Sequence, residues 1–214
     1  MAGLFFNMLK EEWRIHSTMF GSLNFALFPV MICAIAFMGT FLLPLIQTTM
    51  PVGDLVILIH AQYLMLGFMV GAFGLLGHEV MNRRFGQASL LAFSARILPL
   101  NPRHIFTIFV LKDTVYYFFL WIFPVGAGFL VGSLFTGIPV FYPLNILLTL
   151  SLSFLTGMSV VFFLSSLYGR SGKALFVFLI FAGLVFLGWF TFTGTNPATL
   201  FPPLILFYQF SWDI

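Results

Sequence analysis

Five long apolar stretches separated by short polar segments dominate the sequence. They lie at about residues 20–46, 55–76, 105–131, 142–167 and 174–192. Each is long enough for an α-helix to cross a bilayer, which takes about 20 apolar residues. A sixth stretch, residues 200–210, is too short and contains Pro202 and Pro203. The pattern predicts an all-α, polytopic helical membrane bundle with five spans and one partial element, which is re-entrant, interfacial or the approach to a sixth span.

The N-terminal segment, residues 1–18, has a different pattern. Phe5, Leu9 and Trp13 recur at every fourth position, while charged residues occupy other faces. This pattern predicts an amphipathic helix lying in the membrane interface. The helix serves either as an anchor in lipid or also as a contact for a cytoplasmic partner. The transmembrane domain then comprises residues 19–214.

Composition excludes a soluble domain, because 61% of the residues are hydrophobic and 7% are charged, whereas soluble domains carry roughly 25% charge. The 9 Lys and Arg residues all fall on one side of the predicted spans. The loops on the other side, near residues 47–54 and 132–141, have neither. The positive-inside rule therefore predicts a multi-pass membrane protein with a cytoplasmic N-terminus. We expect it in the plasma (inner, cell) membrane. Cations spread in this way form no basic face, so we expect no nucleic-acid partner.

Candidate catalytic motifs are incomplete. The run Gly169-Arg170-Ser171-Gly172-Lys173 is similar to the end of a phosphate-binding loop, but Ala174 follows where a hydroxyl is needed. His78-Glu79 lacks the second histidine of a zinc-binding H-E-x-x-H motif, since position 82 is Asn82. We therefore expect no enzyme activity and no catalytic, cofactor or metal site on this chain.

Two ionisable residues, Lys112 and Asp113, lie inside the third predicted span. Charges in a span are costly and suggest function. Two interpretations remain open here. In the first, the residues are anchors, with Lys112 reaching the cytoplasmic surface and Asp113 pairing with it or with a neighbouring helix. In the second, they take part in gating or substrate passage.

Small residues four positions apart predict where the helices pack closely, because they let two backbones approach each other. The pairs are Gly67 with Gly71, Gly128 with Gly132, and Ser153 with Gly157. Pro29 and Pro124 lie inside spans and predict kinks. For His60, near the outer interface, we expect interfacial or interhelical hydrogen bonding.

Residues 78–104, between the second and third spans, form the longest polar segment. A cationic helical stretch there is suited to docking in a partner's groove or to lying on an anionic membrane surface. Pro99 and Pro102 end this stretch, and Asn101 with Pro102 has the form of an N-cap and first helical residue of the third span.

One series of residues in and after this segment has a characteristic order: Glu79, Arg83, Arg84, Gly86, Ala88, Leu90, Leu91, Pro99, Asn101, Arg103, Ile105 and Lys112. This order resembles that of the permease subunits of ATP-binding-cassette type 2 exporters. The layout is similar too, with an amphipathic N-terminal helix and a cytoplasmic coupling helix between spans two and three. Members of that family have six spans in each half. The resemblance thus implies that the sequence is a fragment or that a second chain supplies the remainder.

The resemblance implies that the chain is the transmembrane permease subunit of an ATP-driven exporter. Its partners would be a second permease subunit, as a homo- or heterodimer, membrane lipid, and cytoplasmic ATPase subunits that hold ATP and Mg²⁺. The residues expected to couple to the ATPase are Glu79, Arg83, Arg84, Gly86, Leu90, Leu91 and Arg96. The alternative is a membrane scaffold or assembly subunit that transports nothing.

Overall fold

A computed structural model describes residues 2–85, 102–193 and 201–211, and within these ranges the chain is helical, with no strand. The helices are α1 (Ala2–Phe20), α2 (Ser22–Gln47), α3 (Val52–Phe85), α4 (Pro102–Tyr117), a π-helical turn (Phe118–Ile122), α5 (Phe123–Thr136), α6 (Phe141–Arg170), α7 (Gly172–Thr193) and α8 (Pro202–Ser211). The all-α prediction is confirmed.

Among the described residues, four helical stretches are long and apolar enough to cross a membrane, and they correspond to the first four predicted spans. They are Leu23–Gln47, Val52–Ala72, Thr107–Thr136 and Phe141–Tyr168. The protein is therefore membrane-embedded. On α7 the apolar stretch Gly172–Gly188 is shorter, so the fifth span stays a prediction.

Large apolar side chains on α7 face outward, which fits contact with lipid. Phe176, Phe181 and Leu184 are 66%, 65% and 63% exposed. Such a continuous apolar surface would be a liability in water but matches the acyl chains of a bilayer.

The chain divides into two compact units, the first comprising Met1–Pro44 with Leu76–Leu147 and the second Leu45–Leu75 with Leu148–Ile214. In the first unit, α2 packs along the helix formed by α4, the π-helical turn and α5. A Cβ atom added to Gly128 would collide with the backbone oxygen of Cys33, and one added to Gly132 would collide with Thr40. The predicted Gly128/Gly132 contact is confirmed, and because the residue numbers rise together the two helices run parallel.

A π-helical turn lies just before Pro124, the site of a predicted kink. The backbone N–H of Phe123 donates to the carbonyl of Phe118, five residues back. Proline has no N–H to donate, and in a regular helix its ring clashes with the carbonyl four residues back. A wider turn at this point relieves that conflict.

In the second unit α3 and α6 pack through the other two predicted small-residue pairs. A Cβ atom on Gly67 would collide with the backbone oxygen of Phe154, and one on Gly157 with that of Leu64. A Cβ atom on Gly71 would lie 3.0 Å from the Cβ atom of the Val161 side chain. These helices also run parallel, and Gly67, Gly71 and Gly157 serve the close approach expected of them.

Polar contacts add to this interface. His60 Nε2 lies 3.0 Å from the hydroxyl of Thr149, and His60 Nδ1 lies 2.8 Å from the carbonyl oxygen of Val56. Since that carbonyl can only accept, Nδ1 is the donor and Nε2 accepts from Thr149 in the neutral ring. The predicted interhelical hydrogen bond of His60 is confirmed.

Candidate functional site

A buried cluster of charges joins α1 to α4. The ammonium of Lys112 lies 2.6 Å from Glu12 Oε2 and 2.6 Å from Asp113 Oδ1, and it sits 4.8 Å from the ring centroid of Phe109. An ammonium has three N–H donors, and these three neighbours can accept from all of them, the ring through a cation–π contact. Lys112 is thus held by two carboxylates and one aromatic ring.

The local fold brings Glu12 to this place. Gly21, with φ of 78°, separates α1 from α2. A left-handed residue there reverses the chain at little cost only because glycine has no Cβ. Phe25 of α2 is then buried against Tyr116 and packs edge-on with Trp13 of α1 at 4.8 Å between centroids.

His16 lies on the same face of α1 as Glu12. Its Nδ1 donates to the carbonyl oxygen of Glu12 at 2.9 Å, and its ring lies 5.3 Å from that of Tyr116. The imidazole is 3.7 Å from a Glu12 carboxylate oxygen. The cluster therefore has two carboxylates, one ammonium and one imidazole ring.

Burial decides how this cluster behaves. The side chains of Lys112 and Asp113 are 5% and 6% exposed, and that of Glu12 is 22% exposed. The expectation that Lys112 reaches the cytoplasmic surface is wrong, because its ammonium is held inside by two acids. The expectation that Asp113 pairs with Lys112 is confirmed, and Lys112 also pairs with Glu12 of the neighbouring helix α1. Such a pair is costly to break from one side, since the charge left behind is buried.

The neighbouring acid shows the contrast. Glu11 pairs with Arg14 at 3.0 Å, but the Arg14 side chain is 67% exposed, so water competes for this contact. Sequence reasoning missed Glu12 and His16, because Glu12 is 100 positions from Lys112. The available signal was an acid on a predicted interfacial helix, on the same side of the membrane as a lysine just inside a span.

The residues predicted to couple to an ATPase are described in part. Glu79, Arg83 and Arg84 lie on α3, which continues as one helix to Phe85, about 14 Å beyond the end of the apolar stretch at residue 76. The structure describes their backbone and not their side chains. Four more predicted residues lie outside the described residues, namely Gly86, Leu90, Leu91 and Arg96.

The predicted start of the third span is confirmed at its first residue, since α4 begins at Pro102; Asn101, the predicted N-cap, is outside the described residues. In the part of the chain that the structure describes, no group of three or more His, Cys, Asp or Glu side chains is arranged to hold a metal ion.

Comparison with known proteins adds no relative to this description. No protein-family model, no curated protein and no solved structure matches the chain.

Proposed function

We propose that this chain is the transmembrane permease subunit of an ATP-driven, ATP-binding-cassette type exporter. It forms the substrate path together with a second permease subunit. Cytoplasmic ATPase subunits bind and hydrolyse ATP, and their movement reaches the membrane helices through residues 78–104. The chain itself performs passage and not catalysis.

The observation that carries the proposal is the extension of α3. Glu79, Arg83 and Arg84, with which the exporter-like series begins, lie on the same uninterrupted helix as the second span. A helix is stiff along its axis, so a push on its cytoplasmic end displaces the part packed in the membrane. That part packs on α6 through Gly67 and Gly157 with no side chain between the backbones, so a displacement of α3 is passed on to α6.

Helix direction supports the proposed topology. Spans that alternate in direction require the first and third to be parallel, and likewise the second and fourth. The packing of α2 along α4 and α5, and that of α3 along α6, meets this requirement in each unit. Together with the one-sided distribution of Lys and Arg, it favours a cytoplasmic N-terminus.

The position of α8 supports a fifth crossing. The Tyr208 hydroxyl donates to the carbonyl of Gly53, 3.4 Å away at the start of α3, and Phe207 packs on His60. Because α6 runs parallel to α3, it ends at Arg170 near the opposite end of α3. The chain has to return to the first end before Pro202, and α7 is the helix between these points.

At this position the negative charge of the Asp54 carboxylate also acts on the phenol of Tyr208. Partial burial and the charge of Asp54 raise the pKa of its phenol, so the hydroxyl stays protonated and able to donate at neutral pH.

The buried cluster has a defined role in this proposal. Glu12 and Lys112 tie the interfacial helix α1 to the helix that follows residues 78–104. A movement arriving at the start of α4 therefore moves α1 as well, and the two helices act as one body at the membrane surface.

Substitutions that change the charge of the coupling segment, residues 78–104, test the proposal. Arg84→Glu and Leu91→Asp should detach the ATPase or abolish ATP-driven transport, because both change the proposed docking surface. The matched control is Lys173→Glu, a charge reversal in another predicted cytoplasmic segment, which should leave the complex intact. Full ATPase association and full ATP-driven transport in both coupling variants would contradict the assignment and favour the scaffold subunit.

A further inference from the structure

A groove of about 470 Å³ lies between α1 and the helix formed by α4 and the π-helical turn. Phe6 and Trp13 form its α1 side, Pro29 of α2 closes one edge, and Phe119 lies opposite. The volume is within the range of small-molecule sites, about 300–1,000 Å³. Two polar residues interrupt the apolar lining, and both lack a partner among the described residues.

The first is Lys10, an exposed residue of α1 that lines the groove. Both acidic residues of α1 already have basic partners: Glu11 pairs with Arg14, and Glu12 pairs with Lys112. Across the described ranges Lys10 takes part in no salt bridge. A free ammonium on the wall of an apolar groove attracts a ligand that joins an anion to an apolar body.

The second is Tyr116, which is 5% exposed and also lines the groove. Within the part of the chain that the structure describes, its buried hydroxyl has no hydrogen-bond partner. A buried hydroxyl without a partner loses its bonds to water and gains nothing in return. The hydroxyl is enclosed in the structure, and a turn of the Tyr116 side chain toward the groove would let an oxygen of a bound molecule satisfy it.

We propose that this groove, here called the α1 groove, is a binding site for one anionic phospholipid. An acyl chain lies along Phe119 and Pro29, and the phosphate is held by Lys10. On binding, Tyr116 turns its enclosed hydroxyl toward the groove and donates to an ester or phosphate oxygen. The groove lies beside the first turns of α2, where the first span begins, so a lipid of the adjoining leaflet can enter it from the side. The site needs no ATPase and stands whether or not the chain is a permease.

Charge complementarity selects this occupant. A zwitterionic phospholipid has the same acyl chains but no net charge. Its chains cover the apolar wall of the groove, but its headgroup is attracted to Lys10 less strongly than an anionic one. A free phosphate ion meets Lys10 but leaves the apolar wall uncovered. A lipid with a net negative charge satisfies both.

Quenching of Trp13 fluorescence measures occupancy directly. The full chain is reconstituted in bilayers that contain either phosphatidylglycerol or phosphatidylcholine with brominated acyl chains, at equal mole fraction. The Trp13 signal is the difference between the native chain and Trp13→Phe, which removes the contribution of the other tryptophans. We expect brominated phosphatidylglycerol to quench this signal more strongly than brominated phosphatidylcholine.

Substitutions test which residues cause the preference for phosphatidylglycerol over phosphatidylcholine. Lys10→Gln should reduce the preference for phosphatidylglycerol about fivefold, the usual effect of one basic residue at an anionic membrane surface. Arg14→Gln is the matched control, because Arg14 lies on the same helix but does not line the groove, and it should keep the preference. Tyr116→Phe should also weaken the preference, while thermal unfolding of the variant in phosphatidylcholine alone stays at or above that of the native chain.

Three results would overturn the proposal. The first is equal quenching by the two lipids in the native chain. The second is an unchanged preference in both Lys10→Gln and Tyr116→Phe. The third is loss of the preference on adding inorganic phosphate at constant ionic strength, which would make a free anion the occupant.

Discussion

Replacing Glu12 by glutamine removes one of the two carboxylates that hold the buried ammonium of Lys112. Asp113 remains at 2.6 Å, so Lys112 keeps one charged partner, and the amide oxygen of glutamine can still accept a neutral hydrogen bond. A hydrogen bond to a charged group contributes about 1.5–3 kcal/mol, roughly twice a neutral one. Glu12→Gln should therefore lower the free energy of unfolding by about 1–2 kcal/mol.

Removing the ammonium instead should cost more. Lys112→Met leaves the carboxylates of Glu12 and Asp113 close together without a counter-charge, and breaking a buried pair from one side costs about 3–5 kcal/mol. The double variant Glu12→Gln/Lys112→Met should lose less stability than the sum of the two single losses, because Glu12 and Lys112 interact directly. We expect a coupling of at least 0.5 kcal/mol, the lower limit for residues in contact.

Reversible unfolding in mixed detergent micelles, monitored by far-UV circular dichroism, provides these free energies of unfolding. Glu11→Gln is the control, since its partner Arg14 is largely exposed and the change should stay within about 0.5 kcal/mol. Equal losses for Glu11→Gln and Glu12→Gln, or strict additivity in the double variant, would refute the role given to the cluster.

Two further predictions concern the second unit. Gly67→Ala should destabilise the protein by about 1–3 kcal/mol, because the new methyl group meets the backbone of Phe154, whereas Gly183→Ala should not, since nothing lies within 4 Å of it; equal melting temperatures would contradict the packing. Thr149→Val removes the hydroxyl that bonds His60 and should cost about 0.6 kcal/mol, at most about 1.7 kcal/mol, as measured by the same unfolding titration; a gain in stability would argue against that bond.

The sequence was most informative where a single physical requirement acts on neighbouring residues. Apolar length alone located the first four spans to within a few residues. The small-residue pairs identified which helix faces meet, because only small side chains permit backbone contact. The proline rules placed the start of α4 at Pro102 and an irregularity next to Pro124.

The site was less accessible from sequence, because it depends on contacts between distant residues. Whether Lys112 turns to the surface or to an acid depends on whether α1 folds back over α4, which is determined by the reversal at Gly21 and the packing of Phe25. Neither of these has a periodic signature. The length of α3 beyond residue 76 was missed for a related reason, since a polar helical extension cannot be distinguished by hydropathy from a polar loop.

The most direct test of the central claim is the composition of the complex in its native membrane. The chain is purified in mild detergent, the proteins that accompany it are identified by mass spectrometry, and ATPase activity is measured on the same sample. The account predicts a stoichiometric ATP-binding-cassette ATPase and a second permease subunit, with ATP hydrolysis. Their reproducible absence, with other membrane proteins in their place, would contradict the permease assignment and indicate a scaffold subunit.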